Sequence, residues 1–316
     1  MAAHGELAAR HFAGRNLEAV LTRLRQIIGL VEPEHDYDGL DAATARTFEI
    51  MATRTIVEAI ESARVDADTY RGFALWAARQ ERSSPVEIFS LNYDLVLEAA
   101  LESFAVPYFD GFVGQLRAPF RGDLVEAAPS SSHDAVPASF VRLWKLHGSI
   151  NWAVTDDAGT RRILRLGVPA GSDEVAAIYP SEAKYTESRR VPFLVLHDRL
   201  RRSLAEPETL LIVAGYSFGD EHVNEILFDS ASRHPRSTFV AFCHDKIAPS
   251  LADNALRIPN LIVTSPEGLI SGGAYEDWRL SEDVPDVFES GEFVLGDFAH
   301  LSKFLGRSME PVDAST

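Results

Sequence analysis

Cysteine is almost absent from this chain: Cys243 stands alone among 316 residues. One thiol makes no intrachain disulfide, and it excludes a structural zinc site built from several thiolates. Long apolar runs are absent too. No stretch reaches the length that a bilayer-spanning helix needs, and the opening "MAAHGELAAR" lacks the apolar segment of a signal peptide. The expected location is the cytoplasm, away from membranes. Basic charge is scarce, with 30 Lys and Arg against 47 Asp and Glu, a net charge of −17. Such a surface repels phosphate backbones, so no direct nucleic-acid partner is expected. A nucleotide ligand remains compatible, because backbone amides and helix N-termini hold phosphates locally. No internal repeat is visible.

What is present reads as one α/β domain over 1–316. The first 80 residues are mainly helical: Leu17, Val20, Leu21, Leu24, Ile27 and Ile28 fall at helical spacing, and further helices are expected over 42–63 and 68–78. Between them, "EHDYD" at 34–38 has metal-friendly residue types but no partner cluster, and reads as a solvated loop. "VEIFSL" is a short apolar strand, and "DLVLEAALESF" a helix with Asp94 suited to its N-cap. Residues 110–140 are a loop-rich excursion. "FVRLWKLHGSINW" reads as strand, turn at His147-Gly148, and strand; "RRILRL" and "AAIYPS" are further strands, and "VPFLVLHDRLRRSLAE" a helix. "ETLLIVAGYSFGDEHVNEILFDSASRH" gives strand, Gly-containing turn and helix, followed by strands in "STFVAFCHD" and "NLIVTS". "LGDFAHLSKFL" is a closing helix and 310–316 a frayed tail. Strands alternating with helices argue a doubly wound, Rossmann-like parallel sheet with a helical insert or lobe, whose ligands bind at the strands' carboxyl ends.

Three polar clusters stand at such ends: "SLNYD", "KLHGS" and "AGYSFGDEHVN". Each has a plain structural reading. Asn92 and Asp94 suit a turn and a cap, His147 a turn, and Asp220 the cap of the next helix, with His222 and Asn224 as structural residues one turn in. Taken together, the three can converge on one crevice. The Gly215-Tyr216-Ser217 turn lets backbone approach a ligand, and Ser217 can bond phosphate or ribose.

"LNYD", then "LHGSINW", then "GYSFGDEHVNEIL" resembles, by order of motifs from about 17 to 305, the bacterial sirtuin-like NAD-binding family, which includes NAD-cleaving effectors of antiphage defence. Ser90 and Leu91 stand where that family usually has two threonines. The resemblance implies NAD as substrate and cleavage of the nicotinamide–ribose bond. It implies that Asn92 holds the ribose and a water, that His147 is the general base, and that Asp94 meets the nicotinamide carboxamide, with Tyr93 beside it. Gly215, Tyr216 and Ser217 would contact the dinucleotide. Cys243, His244 and Asp245, at the next strand end, would lie near the adenosine; His244 is the one assigned to it. An enzyme that depletes NAD must be silent until triggered, so a homo-oligomer or a partner, such as a translocase-type ATPase, is expected.

Two departures matter. The family opens with an apolar strand and a Gly-Ala-Gly-x-Ser loop that cradles pyrophosphate. Neither is found here, so the expectation is a chain that starts late, through a mis-called internal Met1, a cut N-terminus or degeneration from the family, and a sheet without its first strand. Protein-deacylating sirtuins carry a four-Cys zinc module, which one cysteine cannot make; no zinc is expected. Two alternatives stay open: an inactive subunit that senses NAD or ADP-ribose or acts as a scaffold, and an NAD-dependent deacylase.

Overall fold

The computed structural model describes residues 11–13, 17–32, 34–63, 65–78, 84–127, 136–137, 139–157, 160–170, 191–280 and 285–307. Helix α1 (Leu17–Leu30) and helix α2 (Ala42–Ser62) pack on each other, with Leu24, Ile27, Leu40 and Ala45 buried between them. A two-strand ribbon joins them, β1 (Asp36–Tyr37) and β2 (Leu40–Asp41). Its turn is Asp38-Gly39, both at positive φ (53° and 82°), as a two-residue hairpin requires. Asp41 then caps α2 by accepting the Thr44 N–H at 2.6 Å. A 3-10 turn (Ala67–Tyr70) leads into α3 (Arg71–Ala77).

The α/β part follows. Strand β3 (Glu87–Ser90), helix α4 (Val96–Ser103), strand β4 (Tyr108–Phe109), strand β5 (Arg117–Pro119) and helix α5 (Gly122–Glu126) come first. Then come β6 (Val141–Lys145), β7 (Trp152–Asp157), β8 (Thr160–Leu166), α6 (Phe193–Ala205), β9 (Leu210–Ala214) and α7 (Glu221–Arg233). The chain continues as β10 (Thr238–Phe242), α8 (Pro249–Arg257), β11 (Leu261–Thr264), β12 (Gly268–Ser271), β13 (Ala274–Asp277), β14 (Phe288–Glu289), β15 (Glu292–Phe293) and α9 (Phe298–Arg307).

The parallel strands fall into two groups. One sheet runs β3-β6-β4, all parallel. The other runs β9-β10-β11, parallel, and is extended antiparallel by β12 and β13. Among the described residues β3 and β9 each pair along one edge only. One apolar cluster is shared by both sheets: Trp144 of β6 belongs to it with Leu196 and Leu200 of α6, Ile226 of α7 and Phe239 of β10, while Val141 and Leu143 of β6 enter a second cluster with Ala74 of α3 and Leu101 of α4. This is the α/β arrangement the alternation of apolar strands and amphipathic helices dictates.

Several elements sharpen the sequence reading. The 110–140 excursion contributes β5, which joins β8 and β7 in an antiparallel sheet, and the short helix α5. The β12–β13 hairpin adds two strands beyond "NLIVTS". The expected strand in "AAIYPS", the tail 310–316 and most of the extreme N-terminus lie outside the described residues.

Candidate active site

The chain leaves β3 through Leu91, Asn92, Tyr93 and Asp94, and local hydrogen bonds shape the exit. Ser90 Oγ accepts the Asn92 N–H at 3.2 Å, and Asp94 Oδ1 accepts the Val96 N–H at 3.0 Å. Asp94 thus satisfies a first-turn amide of α4 but sits one residue before the N-cap, which is Leu95; this corrects the expected cap by one position. Asn92 is exposed, and its side chain makes no hydrogen bond among the described residues.

The exit from β6 is stitched to this loop. Leu146 N–H donates to the Ser90 carbonyl at 2.9 Å, and Tyr93's carbonyl accepts the Ile150 N–H at 3.0 Å and Ser149 Oγ at 3.2 Å. Lys145 Nζ donates to the Asp94 carbonyl. Its ammonium is almost wholly enclosed and lies 3.5 Å from Glu98. Burial pushes the Glu98 carboxyl above its usual range, against the pull of Lys145. The turn after His147 needs Gly148 at φ +89°. "LNYD" and "KLHGS" therefore form one rigid unit.

His147 lies inside it, 8% exposed. Its Nε2 is 3.0 Å from Asp220 Oδ2. Its ring centroid is 6.3 Å from that of Tyr93 and 6.5 Å from that of His197, with which it is stacked. His197 comes from α6 and directs Nδ1 to the Phe193 carbonyl at 2.9 Å. Burial holds its pKa below the ordinary imidazole value, which favours the neutral ring.

The third cluster is the turn between β9 and α7. Gly215 and Phe218 both have positive φ (66° and 56°). Tyr216 Oη bridges this turn to the helix: it lies 2.8 Å from Asn224 Oδ1 and 3.0 Å from the Asp220 carbonyl. Asn224 Nδ2 donates to the Phe218 carbonyl at 2.7 Å. Asp220 Oδ1 caps α7, accepting the His222 and Val223 N–H groups at 3.0 and 3.2 Å. The cap occupies those amides, so a phosphate would meet the turn itself, where Gly215 and Ser217 are exposed. At the end of β10, His244 is exposed and pairs with Asp245 at 3.1 Å. Burial raises the Cys243 thiol. Gly296 packs on that strand end; a Cβ there would fall 2.3 Å from the Cys243 carbonyl oxygen.

Of the residues singled out from sequence, Tyr93 and His147 come into ring contact, and Asp220 joins His147 to the Gly215–Ser217 turn. Asn92 and Asp94 flank Tyr93. His244 sits at the neighbouring strand end, paired with Asp245. Three participants were not foreseen: His197, Lys145 and the second role of Asp220. Among the described residues no three His, Cys, Asp or Glu side chains cluster as metal ligands. The residues present suit a dinucleotide: an exposed amide at Asn92, an exposed hydroxyl at Ser217, a glycine turn at a strand's carboxyl end and a buried imidazole beside them.

No curated protein matches the chain at a significant level. The family model of the SIR2-like domain matches residues 86–258, which is more than half of the chain and runs from the start of β3 to the end of α8. That span holds all three strand-end clusters. The chain belongs to the SIR2-like family, whose domains use NAD.

Proposed function

We propose that this protein hydrolyses NAD at the nicotinamide–ribose bond, giving ADP-ribose and nicotinamide. The observation that carries the reading is the buried imidazole of His147, with Nε2 3.0 Å from the Asp220 carboxylate and the ring adjoining the loop that presents Asn92. Breaking this bond passes through an oxocarbenium-like state, and nicotinamide departs as a neutral molecule. No strong acid is needed for the leaving group; what helps is an oriented ribose, a positioned water and polar groups near the developing cation. Asn92 is exposed and offers an uncharged donor and acceptor for ribose and water. Water adds at the anomeric carbon and its proton passes to His147, whose imidazole accepts it. Asp94 Oδ1 is engaged with Val96 N–H, and its other carboxylate oxygen is the atom assigned to the nicotinamide carboxamide. Gly215, Tyr216 and Ser217 hold the dinucleotide, and His244 the adenosine end.

The biological reading is defence against phage by NAD depletion, with activity gated by self-association or by a partner such as a translocase-type ATPase. It is supported by the likeness of the three motifs to NAD-cleaving effectors. Cellular NAD measured during phage challenge, with wild type and Asn92→Ala side by side, tests it. Depletion only with wild type supports the role, and unchanged NAD in both refutes it.

A further inference from the structure

Asp220 is a plain helix cap by sequence, yet its second oxygen faces His147. We infer that Asp220 is the positioning residue for His147: it fixes the imidazole as the Nε2–H tautomer and so makes Nδ1 the atom that accepts the proton. This deepens the hydrolase reading and, for its catalytic part, rests on it.

The argument starts from hydrogen-bond capacity. An ionised carboxylate only accepts, so if the 3.0 Å approach of an imidazole nitrogen to Asp220 Oδ2 is a hydrogen bond, that nitrogen carries the proton. That nitrogen is Nε2, which leaves the lone pair on Nδ1. The carboxylate is itself immobilised, because Oδ1 holds two backbone amides at the start of α7, where negative charge is favoured. Both partners are buried, so water does not compete for the bond. Among the described residues the other titratable rings facing His147 are His197 from α6 and Tyr93 after β3, with Arg201 acting on His197. Burial disfavours a charge on His197, and Asp220, 3.0 Å away, is the anion placed to balance an imidazolium at His147. In the reaction, Nδ1 takes one proton from the attacking water or a ribose hydroxyl. The imidazolium that forms keeps its Nε2 proton, shared with the Asp220 carboxylate. The proton then leaves from Nδ1 to solvent.

The test is nitrogen-15 NMR of His147 in the full chain, at a pH where the ring is neutral, together with kcat and KM for NAD. Wild type is expected to show the Nε2–H tautomer. Asp220→Asn keeps the cap, since Asn is as good a capping residue, but its amide donates to Nε2 and is expected to move the proton to Nδ1. NAD turnover should then fall by a factor of about 100 or more, with KM little changed. An Nδ1–H tautomer in wild type, or full turnover in Asp220→Asn, overturns the proposal. If the wild type fails to hydrolyse NAD yet shows the Nε2–H tautomer, which Asp220→Asn reverses, the hydrolase reading falls and the assignment of Asp220 to His147 stands.

Discussion

At the scale of single residues, Asn92 and His147 differ in what their removal costs. Asn92 is exposed, and among the described residues only its main-chain N–H is engaged by a neighbour. Asn92→Ala is therefore expected to leave the melting temperature within a few degrees while lowering nicotinamide release by a factor of about 100 or more. Asp220→Ala removes a cap and the partner of His147 together. It should lower stability by about 1 kcal/mol through the cap, measured by urea denaturation, as well as turnover. His197 gives a pH signature. Its folded pKa lies below the ordinary 6.5 because burial disfavours the charged ring. Between the folded value and 6.5 the unfolded chain binds more protons, so stability rises with pH there. The contribution is present above pH 6.5 and is lost as pH falls through the folded value. His197→Gln should flatten that acid-side loss in a series of urea midpoints. The candidates legible in sequence were polar residues ending apolar strands: Asn92, Asp94, His147. His197 was hidden, since it shares a helical face with Phe193, Leu196, Leu200 and Leu204, all apolar. The pairing of Asp220 with His147 depends on which strand ends the topology brings together, and local spacing carries no record of it.

At the scale of elements, a charged residue in an apolar strand explains how α6 is seated. Glu87 opens β3 inside "VEIF", where its side chain is 15% exposed. It accepts Arg199 Nε of α6 and Trp144 Nε1 of β6, both at 2.7 Å, so one carboxylate ties a helix and two strands. Deleting one member of a buried pair leaves the other uncompensated. Arg199→Ala is expected to cost about 3 kcal/mol in urea denaturation, and should loosen His197, which lies on the same helix. Gly296→Ala should also destabilise, because its methyl would collide with the Cys243 backbone at the end of β10. The strands β3, β6, β9, β10 and β11 were readable as short apolar runs between helices. The β12–β13 hairpin was not read, although Gly272-Gly273 carries its signal: both have positive φ (58° and 80°), as a two-residue turn demands. Asp94 was misplaced by one position because an acid bonding the first-turn amide looks the same in sequence whether it stands at the cap or just before it.

At the scale of the whole molecule, the N-terminal helices reach the site. Tyr93 packs in a cluster with the buried Leu21 of α1 and with Ala52 and Ile56 of α2. The ring that adjoins His147 is thereby braced from the helical lobe, and the Tyr93 carbonyl from the β6 exit. The lobe was legible as helices but not as a wall of the site, since its contact runs through one aromatic side chain. The composition, poor in cysteine and basic residues, bounds the chemistry without naming it. The reading as a hydrolase stands or falls on turnover. Purified protein, over a range of concentrations that spans self-association, is incubated with NAD, and nicotinamide and ADP-ribose are quantified by chromatography for wild type, Asn92→Ala and His147→Ala. Equal amounts of both products from wild type, and a loss of about 100-fold or more in each variant, is the expected result. Product formation that survives both substitutions would contradict the account.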